Sequence, residues 1–172
     1  MKTLPQRKSP RLKGYDYSQS GAYFVTICTH QRVHLFGEVI ESDVVLNRAG
    51  EIVAERWFAL PDHHLGIELD AFVVMPNHVH GIIVLVGTTP ALSALDGTNA
   101  DDAGIVPTVL GTVVGSYKSG VTRRIREALN EPELRLWQTR YHDHIIQNES
   151  ELHRFREYVV ANLSKWGDDI FY

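Results

Sequence analysis

Residues 73–87, VVMPNHVHGIIVLVG, form an apolar stretch interrupted by a single proline, and they organise the interpretation of the whole chain. Pro76 and Asn77 suit the central pair of a turn, so the stretch predicts a hairpin rather than one continuous strand. Two histidines, His78 and His80, stand at the start of its second strand. Because successive strand side chains point to opposite faces, both imidazoles are expected on the same face of a sheet.

The segments around this hairpin read as further strands and helices. Strand patterns cover residues 21–32, 34–46 and 134–147, and helical patterns cover 47–60, 107–129 and 148–166. This order predicts an α+β fold in which helices pack mainly on one face of an antiparallel sheet and leave the other face for a ligand. We expect one domain over residues 1–172, with a basic arm at 1–20 and a mobile insertion loop at 88–106.

Composition excludes several classes of protein. The 172 residues are 44% hydrophobic and 22% charged, which is typical of one ordinary globular domain. No apolar run reaches the roughly 18 residues of a membrane span, and the basic N-terminus lacks the apolar centre of a secretory signal. The single cysteine, Cys28, excludes an internal disulfide framework. We therefore expect a cytoplasmic protein without a membrane partner.

Charge is distributed unevenly along the chain. The net charge is −4, yet the segments 1–13 and 107–126 contain basic residues and no acidic ones. Two positive segments in an acidic protein can form a surface that faces phosphates. A flexible basic tail and a solvated helix face would explain the same pattern.

The histidine pair is a candidate metal site. Neutral imidazole binds transition metals readily, and two such ligands leave coordination positions open for a substrate. A pair of hydrogen-bonded core histidines is the alternative, and His142 and His144 form a rival pair on one face of the strand predicted at 134–147.

Tyr158 and Asn162 are the next candidates. They lie four residues apart in the last predicted helix, so they are neighbours on one helix face. Helical geometry puts them on the flank of the apolar stripe, where a side chain can reach over the edge of a core into a site. A tyrosine at the core boundary with its hydroxyl in water is the plainer interpretation.

Together these motifs resemble the single-tyrosine HUH transposases, in particular the REP-associated tyrosine transposases. His78-Val79-His80 matches the family's H-hydrophobe-H motif, and Tyr158 with Asn162 matches its tyrosine followed four residues later by Asn or Gln. The phrases GSYKSGVTRRI and LWQTRYHDHIIQNESEL are similar as well, and the resemblance runs along nearly the whole chain. Leu163 stands where the family often has a proline.

The resemblance implies a ferredoxin-like fold and a DNA transposase that cleaves and rejoins single-stranded DNA beside a REP-like hairpin. It implies that His78, His80 and Asn162 hold a divalent ion, Mg²⁺ or Mn²⁺. It also implies that Tyr158 attacks phosphorus to give a 5′-phosphotyrosine and a free 3′-hydroxyl. Tyrosine titrates near pH 10, so the ion would help to activate it, and His142 or His144 is a candidate proton acceptor.

Phosphate contacts are expected from five basic residues, namely Arg11, Lys13, Lys118, Arg123 and Arg126. Two other functions stay open at this point: a nucleic-acid-binding relative that cuts weakly or not at all, and a metal hydrolase of phosphodiesters that uses the four histidines. A homodimer is possible, in which Tyr158 would serve either its own histidine pair or that of the partner.

Overall fold

The computed structural model describes residues 20–41, 43–86 and 109–162. In chain order the elements are β1 (Gly21–Cys28), a 3-10 turn (His30–Arg32), β2 (Gly37–Ile40), β3 (Asp43–Leu46), α1 (Arg48–Phe58), α2 (Leu60–His63), β4 (Ile67–Met75), β5 (His78–Leu85), α3 (Val109–Leu129), β6 (His142–Ile146) and α4 (Glu149–Ala161). None of the helices in these three ranges is long and apolar enough to cross a membrane.

Four strands form the central sheet, in the spatial order β4-β5-β1-β6, and β2 pairs with β3 in a separate hairpin. Every neighbouring pair in the central sheet is antiparallel. Without the β2–β3 hairpin and the final helix, the chain order is β1-α1-β4-β5-α3-β6. This is the split βαβ arrangement of a ferredoxin-like fold.

The two faces of the sheet carry different side chains, as strand alternation requires. Tyr23, Val25 and Ile27 of β1 point into the larger core, which α1 and α3 cover; we call this side the α1/α3 face. The alternate residue Phe24 points into a smaller core with Val159 of α4. We call that second side the histidine face, because His80 also lies on it.

Close approach of α1 to the sheet explains the glycine next to His80. An added Cβ at Gly81 would collide with the indole ring of Trp57. Trp57 is completely buried and stacks on Phe72 of β4, with a ring-centroid distance of 4.5 Å. Only glycine lets this large ring lie directly on β5, and the helix is thereby seated against the strand that carries the histidines.

Helix starts follow the local signals in the sequence. The side chain of Asn47 accepts a hydrogen bond from the backbone N–H of Gly50, and that of Asn148 accepts one from Glu151. Each cap satisfies an N–H that has no partner within the first turn of its helix. α1 ends at Phe58, and Pro61 lies in the first turn of α2.

The predicted α+β, ferredoxin-like class is confirmed, with two of the three long helices on one face. The histidine face is nevertheless partly covered, because α4 packs on it. The predicted strand at 134–147 is wrong over its first part. The strand covers only His142–Ile146, and before it there is a single bridge, between Thr29 and Trp137. Backbone carbonyls in this part accept hydrogen bonds from α3 side chains instead of joining a ladder. The proposed insertion loop lies outside the described residues, as does nearly all of the basic arm.

Candidate active site

Two buried imidazoles form the centre of the site. His78 and His80 are both fully buried on the histidine face, at the start of β5. Their Nε2 atoms approach each other to 3.0 Å. Two rings on one strand therefore direct one nitrogen each at the same point.

The other nitrogen of each ring is also engaged. The Nδ1 atom of His78 lies 2.6 Å from the Oδ1 atom of Asn77, and the Nδ1 atom of His80 lies 2.8 Å from the hydroxyl oxygen of Thr26. Since a carbonyl oxygen only accepts, Nδ1 of His78 is the protonated nitrogen and its Nε2 carries the lone pair. Thr26 can donate or accept, so the direction of its hydrogen bond sets the tautomer of His80.

When Thr26 accepts from Nδ1 of His80, both Nε2 lone pairs point at the same place, as two ligands of one ion must. When Thr26 donates, Nε2–H of His80 donates to Nε2 of His78, and the pair is satisfied without an ion. The same six atoms thus fit an occupied and an empty site.

α4 brings a tyrosine to this pair within the same chain. The ring centroid of Tyr158 lies 5.3 Å from that of His80. Phe24 packs between the helix and the sheet, with its ring 5.9 Å from Tyr158 and 5.2 Å from His80. Tyr158 is 37% exposed, so a large substrate can reach it while its ring still lies against buried His80.

Asn162 follows Tyr158 by one helical turn and is 3% exposed. Its Nδ2 atom has no hydrogen-bond partner within the described parts of the chain. A buried N–H donor left in this state costs about 1–3 kcal/mol, which an acceptor oxygen of a bound substrate would offset, whereas a cation could be held only by the Oδ1 atom of the same amide. The buried amide is therefore suited to bind something from outside the chain.

These donors fit a divalent ion. Two nitrogens held about 2.1 Å from one ion at a right angle are about 3.0 Å apart, which is the separation of the two Nε2 atoms. No group of three His, Cys, Asp or Glu side chains within residues 20–41, 43–86 and 109–162 could hold a metal. A third protein ligand from these ranges would have to be of another type, and the amide of Asn162 is the candidate.

The rival histidines lie on the same face but in a different setting. In the strand register, His142 stands opposite Thr26 and His144 opposite Phe24, so both point to the histidine face from the edge strand β6. The Nε2 atom of His144 is 2.9 Å from a carboxylate oxygen of Glu151. This hydrogen bond joins β6 to the first turn of α4.

A basic groove of about 1000 Å³ lies beside α3, and it gathers three of the five predicted DNA-binding residues: Lys118, Arg123 and Arg126. Arg135 adds a fourth basic side chain. Arg11 and Lys13, the other two predicted residues, lie outside the described part of the chain.

Two of these side chains also have structural roles. The ammonium group of Lys118 donates to the carbonyls of Gln138 and Thr139, and partial burial lowers its pKa. The guanidinium of Arg126 donates twice to the carbonyl of Leu134. Both residues hold the irregular segment before β6 against α3, whereas Arg123 is exposed.

The groove and the histidine pair lie near the same end of the sheet. The segment along the groove is tied to the end of β1, since Gln138 N–H donates to the carbonyl of Cys28. Cys28 stands opposite His78 in the strand register. The groove, which lies beside α3, is therefore near the end of the sheet at which β5 begins.

Sequence reasoning missed the two partners that orient the imidazoles. Asn77 was assigned only to the turn, although its place next to His78 gave a signal that its side chain could reach the ring. Thr26 gave no signal, because it lies 54 residues from His80 in the chain and meets it only through the pairing of β1 with β5.

Comparison with known proteins finds a relative by sequence and solved structures with a similar fold. An uncharacterized protein of Haemophilus influenzae is 35% identical over 173 residues, which cover 98% of this chain and 94% of that protein. A REP-associated tyrosine transposase, solved with a REP hairpin bound, superposes with a TM-score of 0.53 at 18% identity, over 95% of this chain and 75% of that one. No family model matches the chain. The chain has the fold of that transposase, and by its identity over almost the full length it belongs to the same family as the Haemophilus influenzae protein.

Proposed function

We propose that the protein is a metal-dependent endonuclease and strand transferase of single-stranded DNA, a transposase that cleaves beside a hairpin through Tyr158. One observation carries the proposal: the Tyr158 ring lies 5.3 Å from His80, whose Nε2 atom converges with that of His78. The shared fold with a REP-associated transposase supports the same conclusion, and the hairpin bound to that protein suggests the class of substrate.

The chemistry follows from the nucleophile. The Tyr158 oxygen attacks phosphorus, the bond from phosphorus to the 3′ oxygen breaks, and the products are a 5′-phosphotyrosine and a 3′-hydroxyl. The proton lost by the tyrosine balances the proton gained by the 3′ oxygen. Because the covalent product keeps a phosphodiester bond, another 3′-hydroxyl can reverse the step, and the strands can be joined without ATP.

The metal would be held by His78, His80 and Asn162. When bound, a divalent ion supplies a Lewis acid for the phosphate oxygens. Between the two expected ions, the imidazole nitrogens favour Mn²⁺ over Mg²⁺, because Mg²⁺ prefers oxygen ligands. The chain's own contribution would be two buried imidazole nitrogens and one buried amide, close to a partly exposed tyrosine.

We further propose that the basic groove along α3 binds the DNA backbone, with Arg123 and Arg135 as its exposed cations. Arg11 and Lys13 of the basic arm stay proposed phosphate contacts. Tyr158 would act on its own chain's histidine pair, since the two are already in contact within one chain. We place the reaction in the cytoplasm and expect no membrane partner.

The test uses end-labelled single-stranded oligonucleotides that carry hairpins from the flanks of the gene. They are incubated with Mn²⁺ or Mg²⁺ and run on denaturing gels. We expect an SDS-resistant protein–DNA adduct that disappears with a chelator and in Tyr158→Phe, while the hairpin affinity of this variant stays within about twofold of wild type. Tyr141→Phe is the matched control, because it removes the same hydroxyl from a tyrosine on the other face of the sheet.

Other results would point elsewhere. Hairpin binding without an adduct under any metal would identify a binding-only relative. Free cleaved DNA without an adduct, and with full activity in Tyr158→Phe, would identify a histidine-metal hydrolase.

A further inference from the structure

α4 is anchored to the sheet by few apolar contacts. Val159 is its only fully buried residue among those described, and Leu152 and Phe155 are partly buried beside it. These three residues form one narrow stripe. A stripe of this width constrains rotation of the helix about its axis less than a broad apolar face would, because packing contacts are not directional. The hydrogen bond between His144 and Glu151 ties the first turn of the helix to β6, but it lies away from Tyr158 in the chain.

A bidentate ion pair lies on one flank of that stripe. Nε and Nη2 of Arg156 donate to the two carboxylate oxygens of Asp70 on β4, at distances between 2.6 and 3.1 Å. These hydrogen bonds also hold the pKa of the Asp70 carboxyl below its usual value. Two parallel bonds between planar groups fix orientation as well as distance.

The local backbone of β4 is irregular where this carboxylate stands. The register with β5 shifts between Leu69 and Phe72, so Asp70 and Ala71 form a β-bulge on an edge strand. Oδ1 of Asp70 also accepts the backbone N–H of Ala71, at 2.7 Å. Bulges redirect side chains and occur near active sites. Here the bulge holds the carboxylate in position for α4.

Helical geometry relates the ion pair to the nucleophile. Each residue advances about 100° around the axis, so Arg156 and Tyr158 stand on opposite flanks of the stripe formed by Phe155 and Val159. A roll of the helix that moved Arg156 away from Asp70 would therefore move Tyr158 relative to His80.

We propose that Asp70 and Arg156 are positioning residues: their ion pair, built on the β4 bulge, prevents α4 from rolling and keeps Tyr158 against His80. The proposal rests on the proposed function for its effect on catalysis, and on the geometry of α4 alone for its effect on the helix.

The chain offers a matched pair of variants. Arg156→Gln removes the link to β4, whereas Arg154→Gln removes an arginine that is paired within α4, with Glu151. Under single-turnover conditions with saturating hairpin DNA, we expect Arg156→Gln to slow adduct formation by about 10- to 100-fold, the cost of a nucleophile displaced by up to about 1 Å. Arg154→Gln should stay within about twofold, and the hairpin Kd of both should match wild type.

A rescue experiment separates orientation from general loss of stability. Asp70→Arg combined with Arg156→Asp restores an ion pair across the same gap, and it should recover adduct formation above the level of either single variant. Loss in both single variants without recovery in the double variant, combined with normal amide exchange in α4, would overturn the proposal.

Amide hydrogen exchange gives a readout that does not depend on activity. We expect residues 152–159 to exchange faster in Arg156→Gln than in Arg154→Gln, while β1 and β5 stay equally protected in both. Equal exchange in α4 would refute the ion pair as an anchor, and faster exchange with an unchanged adduct rate would refute its role in positioning. If the wild-type protein forms no adduct, the proposed function fails, and the exchange comparison alone decides whether the pair holds the helix.

Discussion

The two faces of the central sheet are built from the same four strands but differ in what they bury. The α1/α3 face buries large apolar side chains, among them Trp57, Tyr117 and Phe36, to 1% exposure or less. On the histidine face, polar Thr26, Asn77, His78 and His80 are buried beside a much smaller apolar cluster.

This difference in buried side chains indicates that the two faces of the sheet have different roles. Apolar burial supplies most of the free energy of folding, so the α1/α3 face is expected to supply most of the stability. Buried polar groups add little net stability even when they are paired, so the histidine face is expected to contribute less to stability. In the proposed function, this face instead holds the imidazole nitrogens in fixed orientations close to Tyr158.

The largest expected effect on stability tests the first half of this comparison. Trp57→Ala should lower the free energy of unfolding by about 3–5 kcal/mol, because it removes the ring that fills the space above Gly81. Phe155→Ala, a large-to-small change on the histidine face, should cost less than half as much, because that ring is only partly buried. Urea unfolding followed by circular dichroism measures both. Equal losses would mean that the two faces share the stability evenly.

A smaller effect, on Mn²⁺ affinity, tests the role of the polar groups on the histidine face. Thr26→Val leaves the Nδ1 atom of His80 without its acceptor, and the loss of such an outer partner typically weakens metal binding by about 10- to 100-fold. Thr26→Ser keeps the hydroxyl and should bind as wild type does. Titration calorimetry with Mn²⁺ gives the affinity directly, and urea unfolding serves as the stability control. Unchanged Mn²⁺ affinity in Thr26→Val would mean that the hydroxyl does not set the tautomer of His80.

The smallest effect, on the salt dependence of DNA binding, tests whether the α1/α3 face has only a structural role. Arg123→Gln should leave stability unchanged, because the side chain is exposed, and it should reduce the slope of log Kd against log salt by about one for hairpin DNA. Lys118→Met should instead lower stability by about 1–2 kcal/mol, since Lys118 holds the carbonyls of Gln138 and Thr139. Fluorescence anisotropy across a salt series separates these roles. An unchanged slope in Arg123→Gln would remove the groove from the DNA-binding surface.

Much of this arrangement was predictable from short-range patterns. The period of two along a strand puts His78 and His80 on one face, and the spacing of four along a helix puts Tyr158 beside Asn162. The turn at Pro76 and the helical patterns that begin at 47 and 148 predicted those element boundaries to within a few residues, whereas the stretch predicted as a strand at 34–46 is the hairpin of β2 and β3. The failure at 134–141 has a physical cause, because side chains of α3 take up carbonyls that a strand would have used.

The sequence by itself thus indicated the same-face histidine pair, the adjacency of Tyr158 and Asn162 and most of the element order, since each depends on residues no more than a few positions apart. The roles proposed for these residues came from the family resemblance. Only the tertiary structure decided that α4 packs on the histidine face and that Thr26 orients His80. It also decided that Asp70 forms an ion pair with Arg156, which lies 86 residues further along the chain. Those contacts depend on strand register, on a bulge and on the seating of a helix, and the energy that selects them comes from burial over the whole sheet rather than from any local pattern.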